Sequence, residues 1–110
     1  MRCGFCNLFT AAGPTAGVVG SYLDALAREV KAVRAALPPG AAFARGAIGG
    51  GTPTFLDAAE LARVFDLMGL RPGVPLSVEC SPETLNAEKV RVLAERGADR
   101  ISMGIQSFLE

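Results

Sequence analysis

Histidine is missing altogether from this chain of 110 residues. Its absence removes Ser-His-Asp and Cys-His catalysis and every zinc site that needs an imidazole ligand. Cysteine is scarce. Three residues make an odd, sparse set, a poor disulfide framework for a secreted domain, so reduced thiols free to bind metal fit better. Net charge is lacking too, because 11 basic and 11 acidic residues cancel. A neutral balance gives no electrostatic reason to expect nucleic acid or an anionic membrane as partner. No apolar run approaches the roughly 18–20 residues needed to span a bilayer. The opening Met1-Arg2-Cys3-Gly4-Phe5-Cys6 has no apolar stretch of signal-peptide length. Together these absences point to a cytoplasmic protein. What is present, a chain 50% apolar and 20% charged, is a globular composition with room for one domain and one modest core.

The pattern along the chain reads loop, helix, strand, helix, strand, helix, strand, with no internal repeat or low-complexity tract. Ser21 is a candidate N-cap for the first helix, and Leu23, Leu26, Val30, Val33 and Leu37 recur on one helical face. Pro38-Pro39-Gly40 should end it. Asp57 and Glu60 form a capping box for the second helix, with Leu56 and Leu61 placed as a hydrophobic staple. Its buried stripe is Leu61, Val64, Phe65 and Met68, and Gly69 suits its left-handed end. Asn86 should cap a third helix carrying Val90, Leu93 and Ala94, closed by Gly97. Strands are expected near 44–48, 76–79 and 101–105. Strands separated by helices through short connections indicate parallel pairing in sequence order, with helices on one side. The opposite side should expose apolar side chains.

Several segments carry chemistry. Cys3-Gly4-Phe5-Cys6 is a bare C-x-x-C pair. A zinc half-site would need a second pair of ligands, and only Cys80 remains. A redox dithiol would sit at a helix start directly after a strand, whereas residues 7–20 read as a loop containing glycine and proline. The third reading is a piece of a longer cysteine motif. Gly49-Gly50-Gly51-Thr52-Pro53-Thr54 follows a strand candidate and precedes a helix, and consecutive glycines let backbone N–H groups approach a ligand. Neither a Walker-A lysine nor a G-x-G-x-x-G is present. Ser77-Val78-Glu79-Cys80-Ser81-Pro82 places a carboxylate at a strand end, where a water-facing glutamate is the bland alternative. Strand alternation points Cys80 away from Glu79, so a small buried apolar role suits it. Arg100-Ile101-Ser102-Met103-Gly104-Ile105-Gln106-Ser107-Phe108 ends on a lone amide.

In this order the segments resemble the S-adenosylmethionine (SAM) binding core of the oxygen-independent coproporphyrinogen III oxidase-like family of radical SAM enzymes. That family carries C-x-x-x-C-x-x-C, a G-G-G-T-P turn, a Glu-x-x-Pro strand end and an R-I-S-x-G-x-Q-S-F strand. The resemblance covers almost the whole chain. It implies an α/β fold, a fragment of a partial (β/α)6 TIM-like barrel with about three parallel strands and three helices. Residues 1–110 would then be a partial core domain, lacking the first barrel strand, the first cluster cysteine and the later strands. By that reading Met1 is an internal methionine or a misplaced start.

The resemblance also implies a mechanism. Cys3 and Cys6 would be two ligands of a [4Fe–4S] cluster whose open iron binds SAM. The reduced cluster would split SAM to a 5′-deoxyadenosyl radical that abstracts hydrogen from a small-molecule substrate such as a porphyrinogen. Phe5 would pack near the adenine, Gly50 would offer backbone contact to SAM, and Glu79 would bind SAM through a charge-assisted hydrogen bond. Gly51, Thr52 and Gln106 would contribute to a second SAM. An electron donor such as flavodoxin or ferredoxin is the implied protein partner, and the fragment alone should be inactive. Two alternatives are a haem chaperone on the same barrel and a non-catalytic thiol or zinc module.

Overall fold

The computed structural model describes Gly13 and residues 15–105. The chain forms two compact units, Met1–Pro38 and Pro39–Glu110. Helix α1, Ala16–Ala36, belongs to the first. It starts after Thr15, not at Ser21, which lies inside it. Amides of Val18 and Val19 bond the Thr15 carbonyl at 3.0 and 3.2 Å, so the chain is already helical across Gly17 and Gly20. Glycine lowers helix propensity by about 1 kcal/mol, but each added residue of an established helix gains a hydrogen bond. Of the expected stripe, Leu23 is buried, Leu26, Val30 and Leu37 are half-buried, and Val33 is exposed. Leu37 turns extended, with ψ of 152°, as a residue before proline must.

The second unit is built on three short strands, β1 (Gly46–Ile48), β2 (Leu76–Cys80) and β3 (Arg100–Met103). They pair in parallel in the order β1-β2-β3, with Val78 level with Ile48 on one side and Ile101 on the other. Helix α2, Ala58–Met68, joins β1 to β2, and α3, Ala87–Glu95, joins β2 to β3. Asp99 ties the start of the β2–β3 pair: its carboxylate accepts the Leu76 amide at 2.8 Å, and its own amide donates to the Leu76 carbonyl at 3.1 Å.

Helix α2 forms as its sequence dictates. The Asp57 carboxylate accepts the Glu60 amide at 2.8 Å while the Glu60 carboxylate accepts the Asp57 amide at 2.9 Å. Gly69 closes it at φ 53°. Alternation on β2 buries Leu76, Val78 and Cys80 and turns Ser77 and Glu79 to the other face. Leu61 and Phe65 of α2 and Leu93 of α3 cover that apolar row, so both helices share one face of the sheet. In α3 the buried side is Val92 and Leu93, while Val90 and Ala94 point outward, one step round from the expected stripe. Leu61→Ala should lower stability by about 2–5 kcal/mol through lost burial and the cavity it leaves. Val90→Ala, on the exposed side, should change it by less than about 0.5 kcal/mol. Urea unfolding of both variants checks the pair.

One expectation fails. The face away from the helices was expected to be apolar, yet it carries Ala47, Ser77, Glu79, Arg100 and Ser102. A barrel centre packed by its own side chains needs Val, Ile and Leu there. Small and polar residues instead leave space and hydrogen-bonding groups for something else. The exposed apolar residues of β3, Ile101 and Met103, are level with Val78 and Cys80 and so belong to the helix-bearing face. Among the described residues no helix is long and apolar enough to cross a membrane.

Candidate functional site

Parallel pairing brings the carboxyl ends of all three strands to one edge, where ligands of open and closed parallel sheets bind. A cavity of about 660 Å³ lies along this edge, and Gly51, Thr52, Glu79, Ser81, Ser102 and Gly104 contribute to its wall. That volume falls within the range of small-molecule sites.

The glycine turn and the glutamate meet there. β1 ends at Ile48, and the Gly50 amide donates to the Glu79 carboxylate at 3.3 Å. A Cβ placed on Gly49 would lie 3.0 Å from the Glu79 Cδ and Oε2, so the carboxylate rests directly on Gly49. Any side chain at position 49 would push the carboxylate back by a few tenths of an ångström. Gly50 takes φ 85°, in the left-handed region, and a Cβ there would meet nothing within 4 Å. The turn therefore presents open backbone beside an exposed carboxylate. Thr52 follows as the cap of a 3₁₀ turn, Pro53–Phe55.

Beneath this edge lies a polar network that sequence reasoning missed. Thr54 is completely buried. Its hydroxyl bonds the Thr84 hydroxyl at 2.7 Å and accepts the Ser81 amide at 3.3 Å. The Lys89 ammonium donates to the carbonyls of Thr54 at 2.6 Å and Thr84 at 3.0 Å. One signal was legible. Lys89 stands in the first turn of α3, where a cation opposes the helix dipole by roughly 0.3–1 kcal/mol, so its presence there calls for another role.

Cys80 is a free, buried thiol in the core. Burial pushes its pKa above the ordinary value, against the opposing effect of a hydrogen bond with Thr54. It takes the expected role of a small apolar residue. Of the predicted site residues, Gly50, Gly51, Thr52 and Glu79 gather at one edge. Cys3, Phe5, Cys6 and Gln106 lie outside the described residues.

The sequence profile of the Radical SAM superfamily matches residues 1–110. This chain belongs to the radical SAM superfamily. Similar proteins include an oxygen-independent coproporphyrinogen III oxidase of Paracoccus denitrificans, 36% identical over 96% of this chain and 24% of its own length. A heme chaperone of Bacillus subtilis is 44% identical over 56% of this chain and 17% of its own. Among solved structures, the coproporphyrinogen III oxidase of Escherichia coli, described as a radical SAM enzyme, superposes with a TM-score of 0.83. It is 30% identical and covers 96% of this chain and 25% of its own. The radical SAM chain thus spans about a quarter of the length of these oxidases. Its three parallel strands and three helices are part of the barrel-like core of such enzymes.

Proposed function

We propose that this chain supplies the cofactor-binding core of a coproporphyrinogen III oxidase-like oxidoreductase that cleaves SAM reductively and acts on a small molecule of the porphyrinogen class. The observation that carries this reading is the Gly50 amide held against the Glu79 carboxylate at the carboxyl edge of the sheet. Superfamily membership implies SAM and a [4Fe–4S] cluster, and the described residues suit the former. The glycine turn offers open backbone, with no heavy atom within 4 Å of where a Cβ on Gly50 or Gly51 would stand, next to an anionic acceptor for cationic or N–H-bearing groups. Cys3 and Cys6 would hold the cluster, Phe5 would pack against the adenine, and Gly50 and Glu79 would hold SAM. Gly51, Thr52 and Gln106 would serve a second SAM. When bound, these cofactors supply the electron for SAM cleavage and the abstraction of a hydrogen atom from substrate. The chain's own part is to fix SAM and keep the reacting centre apart from water. We place this activity in the cytoplasm, with a flavodoxin- or ferredoxin-type electron donor.

The test is anaerobic incubation of the reconstituted full-length protein with SAM and a strong reductant, followed by chromatography for 5′-deoxyadenosine. Release of that product is expected; intact SAM beside a fully loaded, reduced cluster would sink the reading. Similarity to the heme chaperone supports a second reading, haem carriage on the same core. Stoichiometric haem binding without substrate-dependent turnover would favour it.

A further inference from the structure

We propose that Lys89 is a positioning residue that sets the gap between the glycine turn and Glu79, and so the affinity of this edge for SAM; the inference rests on the reading of the edge as the SAM cradle. Lys89 does not line the cavity, so it acts through other groups. Its ammonium donates to Thr54 in the segment after β1 and to Thr84 in the segment after β2, at 2.6 and 3.0 Å. The first segment carries Gly50, Gly51 and Thr52; the second follows directly on Glu79 and Cys80. A compact ammonium with three donors can serve two carbonyls from different segments at once. The hydroxyl pair of Thr54 and Thr84 and the Ser81 amide join the same two segments. The Gly50 amide reaches Glu79 at 3.3 Å, beyond the usual span for an N–H···O bond, so a small drift of either segment breaks it.

Lys89→Met keeps the apolar stem and removes every donor, leaving two part-buried carbonyls without their partner. In the reconstituted full-length protein it should raise the dissociation constant and KM for SAM about tenfold while kcat for 5′-deoxyadenosine release changes less than about twofold. Iron content should be unchanged. Lys89→Arg, which can still donate to both carbonyls, should recover most of the affinity. A readout free of any cofactor is amide hydrogen exchange: Lys89→Met should speed exchange in peptides covering 49–56 and 81–86, and Lys89→Arg should not. Should Lys89→Met fail to fold, Lys89→Gln, which is neutral and one atom too short to serve both carbonyls as the ammonium does, carries the same comparison. Wild-type SAM affinity in Lys89→Met, or equal losses in Lys89→Met and Lys89→Arg, overturns the inference alone. A wild-type protein that loads its cluster and does not bind SAM overturns the cradle reading and this inference together.

Discussion

Replacing Cys3 or Cys6 by Ala in the full-length protein should leave it without a stable [4Fe–4S] cluster, whereas Cys80→Ala should retain the full iron content. A cubane cluster is held by thiolates, and removing one of a small ligand set leaves an iron without an anchor. Cys80 is unsuited to that task for two physical reasons. The ligand is the thiolate, and burial raises the Cys80 pKa, keeping the thiol protonated near neutral pH. Alternation along β2 also turns Cys80 into the core with Leu61 and Val78, away from the face that carries Glu79. Cys80→Ala therefore removes one buried sulfur, at roughly 1 kcal/mol of stability, and nothing from the cluster. Iron and acid-labile sulfide after anaerobic reconstitution measure the outcome. A Cys80→Ala protein that loses its cluster would overturn the assignment of all three cysteines.

What could be read in advance follows from how local the determining interactions are. The capping box and the left-handed end of α2 are each set by residues within one turn, and both are where the motif puts them. Strand order and parallel pairing were legible because helices alternate with strands through short links, which restricts the possible topologies. The start of α1 was not, since Gly17 and Gly20 resemble loop residues until the helix beyond them is formed. In α3 Leu93 is buried as expected, whereas Val90 and Ala94 are exposed, for a different reason. Val90, Val92 and Leu93 all lie within its nine residues, and packing against β2, which no local pattern contains, decides that Val92 and Leu93 face inward.

The same division holds at the site. Glycines and a strand-end carboxylate advertise themselves, and Gly50, Gly51, Thr52 and Glu79 do meet at one edge. The support under them does so only through the cation in the first turn of α3, because Thr54 and Thr84 are ordinary residues until the fold joins two loops far apart in sequence. The polar lining of the open face was hidden by a general expectation about barrel interiors. Ser77, Glu79 and Ser102 form the polar half of the strands' alternation, and the structure turns that half away from the helices.

Glu79 offers the sharpest separation of cofactor binding from cluster assembly. Glu79→Ala should weaken SAM binding by about a hundredfold and Glu79→Gln by about tenfold, both with normal iron content. The scale follows from hydrogen bonds to charged groups, worth about 1.5–3 kcal/mol each, where every 1.4 kcal/mol is a factor of ten. Gln keeps the shape and one acceptor oxygen but loses the charge, so it should fall between wild type and Ala. Gly49→Ala provides an orthogonal check, since it leaves the carboxylate in place chemically and displaces it sterically. The added Cβ would sit 3.0 Å from Oε2 and 3.2 Å from Oε1, tighter than ordinary van der Waals contact, so the carboxylate must give by a few tenths of an ångström. A shift of that size is enough to break the bond from the Gly50 amide, which at 3.3 Å already exceeds the usual N–H···O span. Gly49→Ala should therefore lower SAM affinity in the Glu79 background and have little further effect on Glu79→Ala, because both changes remove one and the same contact. Anaerobic equilibrium dialysis with labelled SAM on the two single variants and the double variant measures this coupling. Additive losses would mean that the carboxylate and the glycine turn act separately, and the cradle formed by the two would have to be abandoned.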